Sequence, residues 1–171
     1  RIRNKKLLFF IPLIISVLII AEYYPFNRFY NYGEDKSYSF DNKRFKLYEK
    51  LDGSLIQVYW NPYLKSLQVS TRASIGAKGN VDNNKFTFSE LFWNLFYNLE
   101  YDLIPNNNTT YIFELCSTYN KIVVQYPEPR LVLIGARCLK TYKEINIETI
   151  NTNWEKAKVY NLPNTSNTVD E

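Results

Sequence analysis

Lys50-Leu51-Asp52-Gly53 is the stretch whose residue types and spacing suit covalent chemistry. A lysine becomes a nucleophile when its ammonium loses a proton, which calls for burial or nearby positive charge to lower a pKa of about 10.4. Around it, in FKLYEKLDGSLIQVYW (Phe45 to Trp60), apolar residues alternate up to Lys50 and resume after Ser54. That pattern predicts two strands joined by a tight turn at Asp52-Gly53, with Glu49 and Lys50 at its mouth. Such a turn between strands is expected to supply the burial. Taken by themselves, the same residues also suit an ordinary surface lysine beside an Asp-Gly turn.

Composition narrows the alternatives. The chain has no histidine, which excludes Ser-His-Asp and Cys-His mechanisms and the usual histidine-containing zinc sites. Any acid, base or nucleophile must be Lys, Asp, Glu, Tyr or Cys. The two cysteines, Cys116 and Cys138, fall in apolar runs and read as core thiols in a reducing, cytoplasmic compartment rather than as a disulfide framework. A net charge of +4 is compatible with a polyanionic partner without demonstrating one. With 171 residues the chain is the size of one domain and can bury a sizeable core. It contains no methionine, so Arg1 is expected to be a processed or truncated end.

The elements that must position Lys50 follow in order. LKSLQVSTRAS (Leu64 to Ser74) alternates as a strand ending at Thr71-Arg72, and Gly76 to Lys85 reads as a loop. Phe86 to Leu99 carries Phe88, Leu91, Phe92, Leu95 and Phe96 at helical spacing, with Thr87 as cap and Glu90 three residues later. Tyr111 to Leu115 and Lys121 to Tyr126 read as strands flanking a turn at Ser117 to Asn120, and Arg130 to Leu139 as a buried strand. Glu114 lies inside the apolar YIFEL, where a carboxylate is costly unless partnered. Asn146 to Val159 is expected to form a helix with Trp154 inward, and 161–171 a polar tail.

The N-terminal segment, 1–22, permits two readings. Arg1, Arg3, Lys5 and Lys6 precede the apolar run Leu7 to Ala21, which resembles a signal peptide or membrane anchor. The run is shorter than the roughly 20 residues a bilayer needs, and its Ile, Val, Leu and Phe content also suits buried strands broken at Pro12.

Four further motifs accompany Lys50-Leu51-Asp52-Gly53. They are PFNRFYNYGE (Pro25 to Glu34), STRAS (Ser70 to Ser74), YIFELCSTYNKIVV (Tyr111 to Val124) and LVLIGAR (Leu131 to Arg137). In this order the series resembles the ATP-dependent RNA ligases of the bacteriophage RNA ligase 1 type, a branch of the covalent nucleotidyltransferases that also includes DNA ligases and mRNA capping enzymes. The resemblance implies an α+β fold, an antiparallel-sheet, ATP-grasp-like nucleotidyltransferase core over 23–160 with the nucleotide between sheets. It implies that Lys50 forms a lysyl-AMP, using ATP and Mg2+ or Mn2+, and that RNA 5′-phosphate and 3′-hydroxyl ends are joined in RNA repair or tRNA end joining. Arg28 would stand near the nucleotide phosphates at a position the family usually gives to lysine, with Phe29 and Asn31 in the pocket wall. Arg72 would grip a phosphate and Glu114 would contact the ribose or orient Lys50; Glu49, Asp52 and Gly53 complete the expected nucleotide-binding set. Ser16 to Glu22 would be the strand leading into the site.

The family's pattern is not complete here. The upstream Arg-Gly motif has no counterpart, and no Glu-Gly segment follows Arg137 to supply a metal-binding carboxylate. Lys156-Ala157-Lys158 has the spacing of the family's triphosphate-gripping Lys-x-Lys but stands too early and reads as an exposed helix face. The expectation is therefore an incomplete adenylylation domain whose metal ligand lies beyond Glu171. Competing expectations are a non-catalytic nucleotide- or RNA-binding remnant, anchored through Leu7 to Ala21, and a sister DNA ligase or capping guanylyltransferase.

Overall fold

The computed structural model describes residues 25–27, 29–30, 33–34, 46–81, 85–120 and 123–160. The N-terminal run, Arg28, Asn31 and the polar tail lie outside the described residues, so the strand expected at Ser16 to Glu22 does too. Among the described residues no helix is long and apolar enough to cross a membrane.

A five-stranded antiparallel sheet forms the body, built from β2 (Ser54–Asn61), β3 (Ser66–Thr71), β6 (Thr109–Cys116), β7 (Arg130–Cys138) and β8 (Glu144–Ile145) in the order β3-β2-β6-β7-β8. Two small antiparallel pairs flank it. One joins β1 (Leu47–Tyr48) to β9 (Val159–Tyr160), and the other joins β4 (Asn80–Val81) to β5 (Phe86–Thr87). Helix α1 (Phe88–Asn98) follows β5 directly. The described fold is thus α+β in the broad sense and mostly sheet.

The period of two along the central strands separates two faces. Ile56 pairs with Phe113 and Val58 with Tyr111, placing these side chains on the face covered by α1. There Phe113 meets Phe92 and Phe96 edge-on at ring-centroid distances of 5.6 and 6.4 Å, and Trp154 packs on Tyr111 and Phe113 at 5.2 and 5.3 Å. The opposite face carries Leu55, paired with Glu114, and Gly135, paired with Ile112. A bulge produces this last alignment: the β7 partner of Phe113 is Leu133 and that of Ile112 is Gly135, so Ile134 is left over.

Helix α1 follows the expected sequence signals. Thr87 Oγ1 accepts a hydrogen bond from Glu90 N at 3.2 Å while Glu90 Oε2 accepts one from Thr87 N at 2.8 Å, closing a capping box. The predicted strands at Leu64 to Ser74, Tyr111 to Leu115 and Arg130 to Leu139 form close to their expected bounds. The turn at Ser117 to Asn120 forms as well, with Asn120 Nδ2 donating to Ser54 Oγ at 3.0 Å and to Leu115 O at 2.7 Å. Both cysteines are free thiols.

Three expectations are corrected. The two strands around Asp52-Gly53 do not pair as a hairpin: β1 joins β9, whereas β2 joins β3 and β6, so the turn carries the chain from one sheet to another. Val123 to Tyr126 is not a strand, because the N–H groups of Val123 and Val124 are used by the Asp52 carboxylate. Asn146 to Val159 is not a helix. After a 3-10 turn at Ile147–Thr149 the chain runs extended beside β7, with Leu133 N donating to Glu155 O at 2.8 Å and Ala157 N to Leu133 O at 2.9 Å. Lys156-Ala157-Lys158 is consequently an extended segment whose alanine is buried, not an exposed helix face. The loop at Gly76 to Lys85 also yields the short β4.

Candidate active site

A cavity of about 810 Å³ opens on the Glu114 face of the large sheet, toward β1 and the Ala157 segment. Phe26, Phe29, Ile134, Ile147 and Ala157 make an apolar side, while Glu49, Lys50, Glu114 and Glu144 make a charged one. Volume and lining suit a small ligand with an aromatic part and a charged part. Gly135 is required for this shape. A Cβ there would stand 2.6 Å from Phe26 Cε1 and closer still to Cζ, so only glycine lets the ring lie against β7.

Lys50 stands on the charged side, next to the turn. The turn is fixed by four hydrogen bonds from opposite directions. Asp52 N donates to Tyr126 Oη at 2.9 Å and Gly53 N to Glu114 Oε1 at 2.9 Å, while Asp52 Oδ2 accepts from Val123 N and Val124 N at 2.8 and 2.7 Å. These last two bonds hold the Asp52 carboxyl below the usual carboxylate range. Gly53 is there for space: a Cβ would lie 2.9 Å from both Cys116 Sγ and the Leu115 carbonyl carbon, and nearer to Leu115 O. Asp52-Gly53 therefore docks flush against the end of β6.

Glu114 is half-buried, and burial raises its carboxyl above the ordinary range, opposed by the Gly53 N–H and then by the Lys50 charge. Its observed role is to hold the turn that carries Lys50. Glu49 also lines the cavity: its Oε1 lies 3.8 Å from Arg130 Nη1, and its buried Oε2 has no hydrogen-bond partner. An orphaned buried acceptor in a cavity wall suits a ligand that donates a hydrogen bond.

The expected burial of Lys50 does not occur, since its side chain is exposed where it lines the cavity. The topology accounts for this: the turn passes between two sheets that do not pair, and among the described residues no strand covers it. Arg72 is exposed just after β3 and does not line the cavity. The pairing of Thr71 with Ile56 nonetheless places it beside the end of β2 from which the Lys50 turn departs. Phe29 lines the cavity as expected, and Arg28 and Asn31 lie outside the described residues. Sequence reasoning missed Tyr126, Arg130, Phe26 and Gly135; the signal for the last was a glycine inside an apolar strand run, which marks a bulge or a close approach.

Comparison with known proteins places the chain. The RNA ligase family model matches residues 20–170, so the chain belongs to the RNA ligase family of the bacteriophage RNA ligase 1 type. An RNA ligase of Rhodothermus phage RM378 is 31% identical over 154 residues, covering 70% of this chain and 34% of that protein. A protein of Autographa californica nuclear polyhedrosis virus named "Putative bifunctional polynucleotide kinase/RNA ligase" is 34% identical over 134 residues, covering 66% of this chain and 18% of that protein. The chain thus spans about a third or less of the curated relatives it matches.

Proposed function

We propose that this chain is the adenylyl-accepting part of an ATP-dependent RNA ligase, with Lys50 as nucleophile. The observation that carries this reading is the docked Lys50-Leu51-Asp52-Gly53 turn at the rim of a nucleotide-sized cavity, held by Glu114. Family membership favours RNA ligation over the DNA ligase and capping alternatives.

In the first step the Lys50 amine attacks the α-phosphorus of ATP; a P–N bond forms, the P–O bond to pyrophosphate breaks, and the amine proton leaves to water. Solvent exposure of Lys50 gives that proton an exit. The adenylyl group next passes to the 5′-phosphate of an RNA end, breaking the P–N bond. A 3′-hydroxyl then attacks the RNA phosphorus, and AMP leaves as the strand is sealed. Charge gathers on phosphoryl oxygens throughout, so fixed cations matter more than a strong base. Lys50, Arg28 and Arg72 are the cations assigned to this task. Phe26 and Phe29, whose rings meet at 5.0 Å, would form one wall against the base, and the orphaned Glu49 Oε2 would accept from a donor such as its amino group. Among the described residues no three His, Cys, Asp or Glu side chains gather into a metal site, so none is assigned to Mg2+ or Mn2+.

The test is to incubate the full-length protein with α-labelled ATP and a divalent metal and then denature it. Retained label that is lost in Lys50→Ala supports the reading, and an equally labelled variant defeats it. Labelled GTP in parallel separates ligase from capping chemistry.

A further inference from the structure

Among the described residues the Lys50 side chain makes no hydrogen bond or ion pair, so its position depends on the backbone on either side. One guanidinium stands near side chains on both sides of it. Arg130, the first residue of β7, is held by Glu155, with Nη2 at 2.5 Å and Nε at 3.1 Å from Oε1. From this anchored position its Nη1 faces Glu49, the residue before Lys50, at 3.8 Å. Its Cζ also lies 5.7 Å from the centre of the Tyr126 ring, whose hydroxyl accepts the Asp52 N–H. One cation therefore reaches both flanks of the nucleophile, by charge on the Glu49 side and through an aromatic ring on the Asp52 side.

We propose that Arg130 is a positioning residue for Lys50, with Glu155 as its anchor and Tyr126 as its lever on the Asp52-Gly53 turn. This rests on the reading of Lys50 as the nucleophile. Arg130 and Glu49 expose only 24% and 21% of their side chains, so water screens their attraction incompletely. The geometry needs a planar fork that engages Glu155 and Glu49 together while lying on a ring. Lysine, a compact point charge, cannot reproduce it.

The experiment measures the rate of Lys50 labelling from α-labelled ATP in the full-length protein, across ATP concentrations, well below the melting temperature. Arg130→Gln, Arg130→Lys and Tyr126→Phe are compared with the wild type. The expected result is a maximal rate lowered about 10- to 100-fold in the Arg130 variants, the scale of a misplacement near 1 Å. The half-saturating ATP concentration should change less than the maximal rate, because Glu49 lines the cavity as well as facing Arg130, and lysine should give no rescue. A merely structural arginine would lower the melting temperature yet leave the rate per folded molecule intact, and that result overturns the brace. If Arg130→Gln does not fold, Tyr126→Phe decides, since it keeps the ring and removes the hydroxyl that meets Asp52 N and Cys116; a wild-type maximal rate in it overturns the lever. Absence of label in the wild type refutes Lys50 itself, which separates the two failures.

Discussion

Replacing Gly53 by alanine probes the site at the point where space is most tightly specified. The added methyl would sit 2.9 Å from the Leu115 carbonyl carbon and from Cys116 Sγ, with Leu115 O closer. Carbon atoms ordinarily approach to about 3.5 Å, so the turn must retreat by roughly 0.6 Å or more. The obstacle cannot swing aside, because Leu115 is backbone in the central strand β6, paired to β2 at Ser54 and to β7 at Leu131. Overpacking of this kind costs about 1–3 kcal/mol, which for a domain of this length lowers the melting temperature by roughly 2–12 °C. The functional loss should be larger than the stability loss, since retreat of the turn also stretches the 2.9 Å bond from Gly53 N to Glu114 and carries Lys50 with it. Displacement on this scale predicts a labelling rate lower by about 10- to 100-fold in protein that is still folded. Thermal melting with the α-labelled ATP assay on the same samples reads both quantities. A Gly53→Ala protein that melts and labels like the wild type would refute the docked turn.

Three further outcomes follow from other parts of the structure. Burial raises the Glu114 carboxyl, so its protonated form is favoured by folding, and that contribution is lost as pH rises through the raised value. Glu114→Gln, which keeps an acceptor for Gly53 N, should gain stability relative to wild type as pH goes from about 4 to 7; a difference that is flat with pH would contradict this. Phe113→Ala empties the contact between α1 and the sheet and should cost about 3–5 kcal/mol by chemical denaturation, and a cost under about 1 kcal/mol would deny that face its role as the core. Gly135→Ala pushes the far end of the Phe26 ring, which can move, so stability should hardly change while AMP affinity by calorimetry falls about tenfold. Unchanged affinity would remove the ring from the binding surface.

Local signals carried much of the fold into the sequence. The capping box of α1, the alternation of β3 and the apolar runs of β6 and β7 are patterns written in short stretches of chain, and each element formed where its pattern placed it. Apart from the short β4–β5 pair, the failures are non-local. Alternation on both sides of Asp52-Gly53 showed that β1 and β2 are strands but could not show that β1 pairs with β9, more than a hundred residues away. The spacing of apolar residues after Asn146 suited a helix until Leu133 offered its N–H and C=O to Glu155 and Ala157. Lys50, Asp52, Gly53 and Glu114 were legible because their order along the chain is distinctive, and the structure brings them together. Arg130 and Tyr126 were not, because an arginine at the start of a strand and a tyrosine before Pro127 carry no local mark of what they will touch.

The central claim is that the Lys50 amine becomes bonded to an adenylyl group. Mass spectrometry of peptides from full-length protein treated with ATP and a divalent metal tests it directly. The account predicts one added adenylyl group on the peptide bearing Lys50, localised to that side chain and removed by pyrophosphate. An adduct on a different residue, or none on protein that seals RNA, would contradict it.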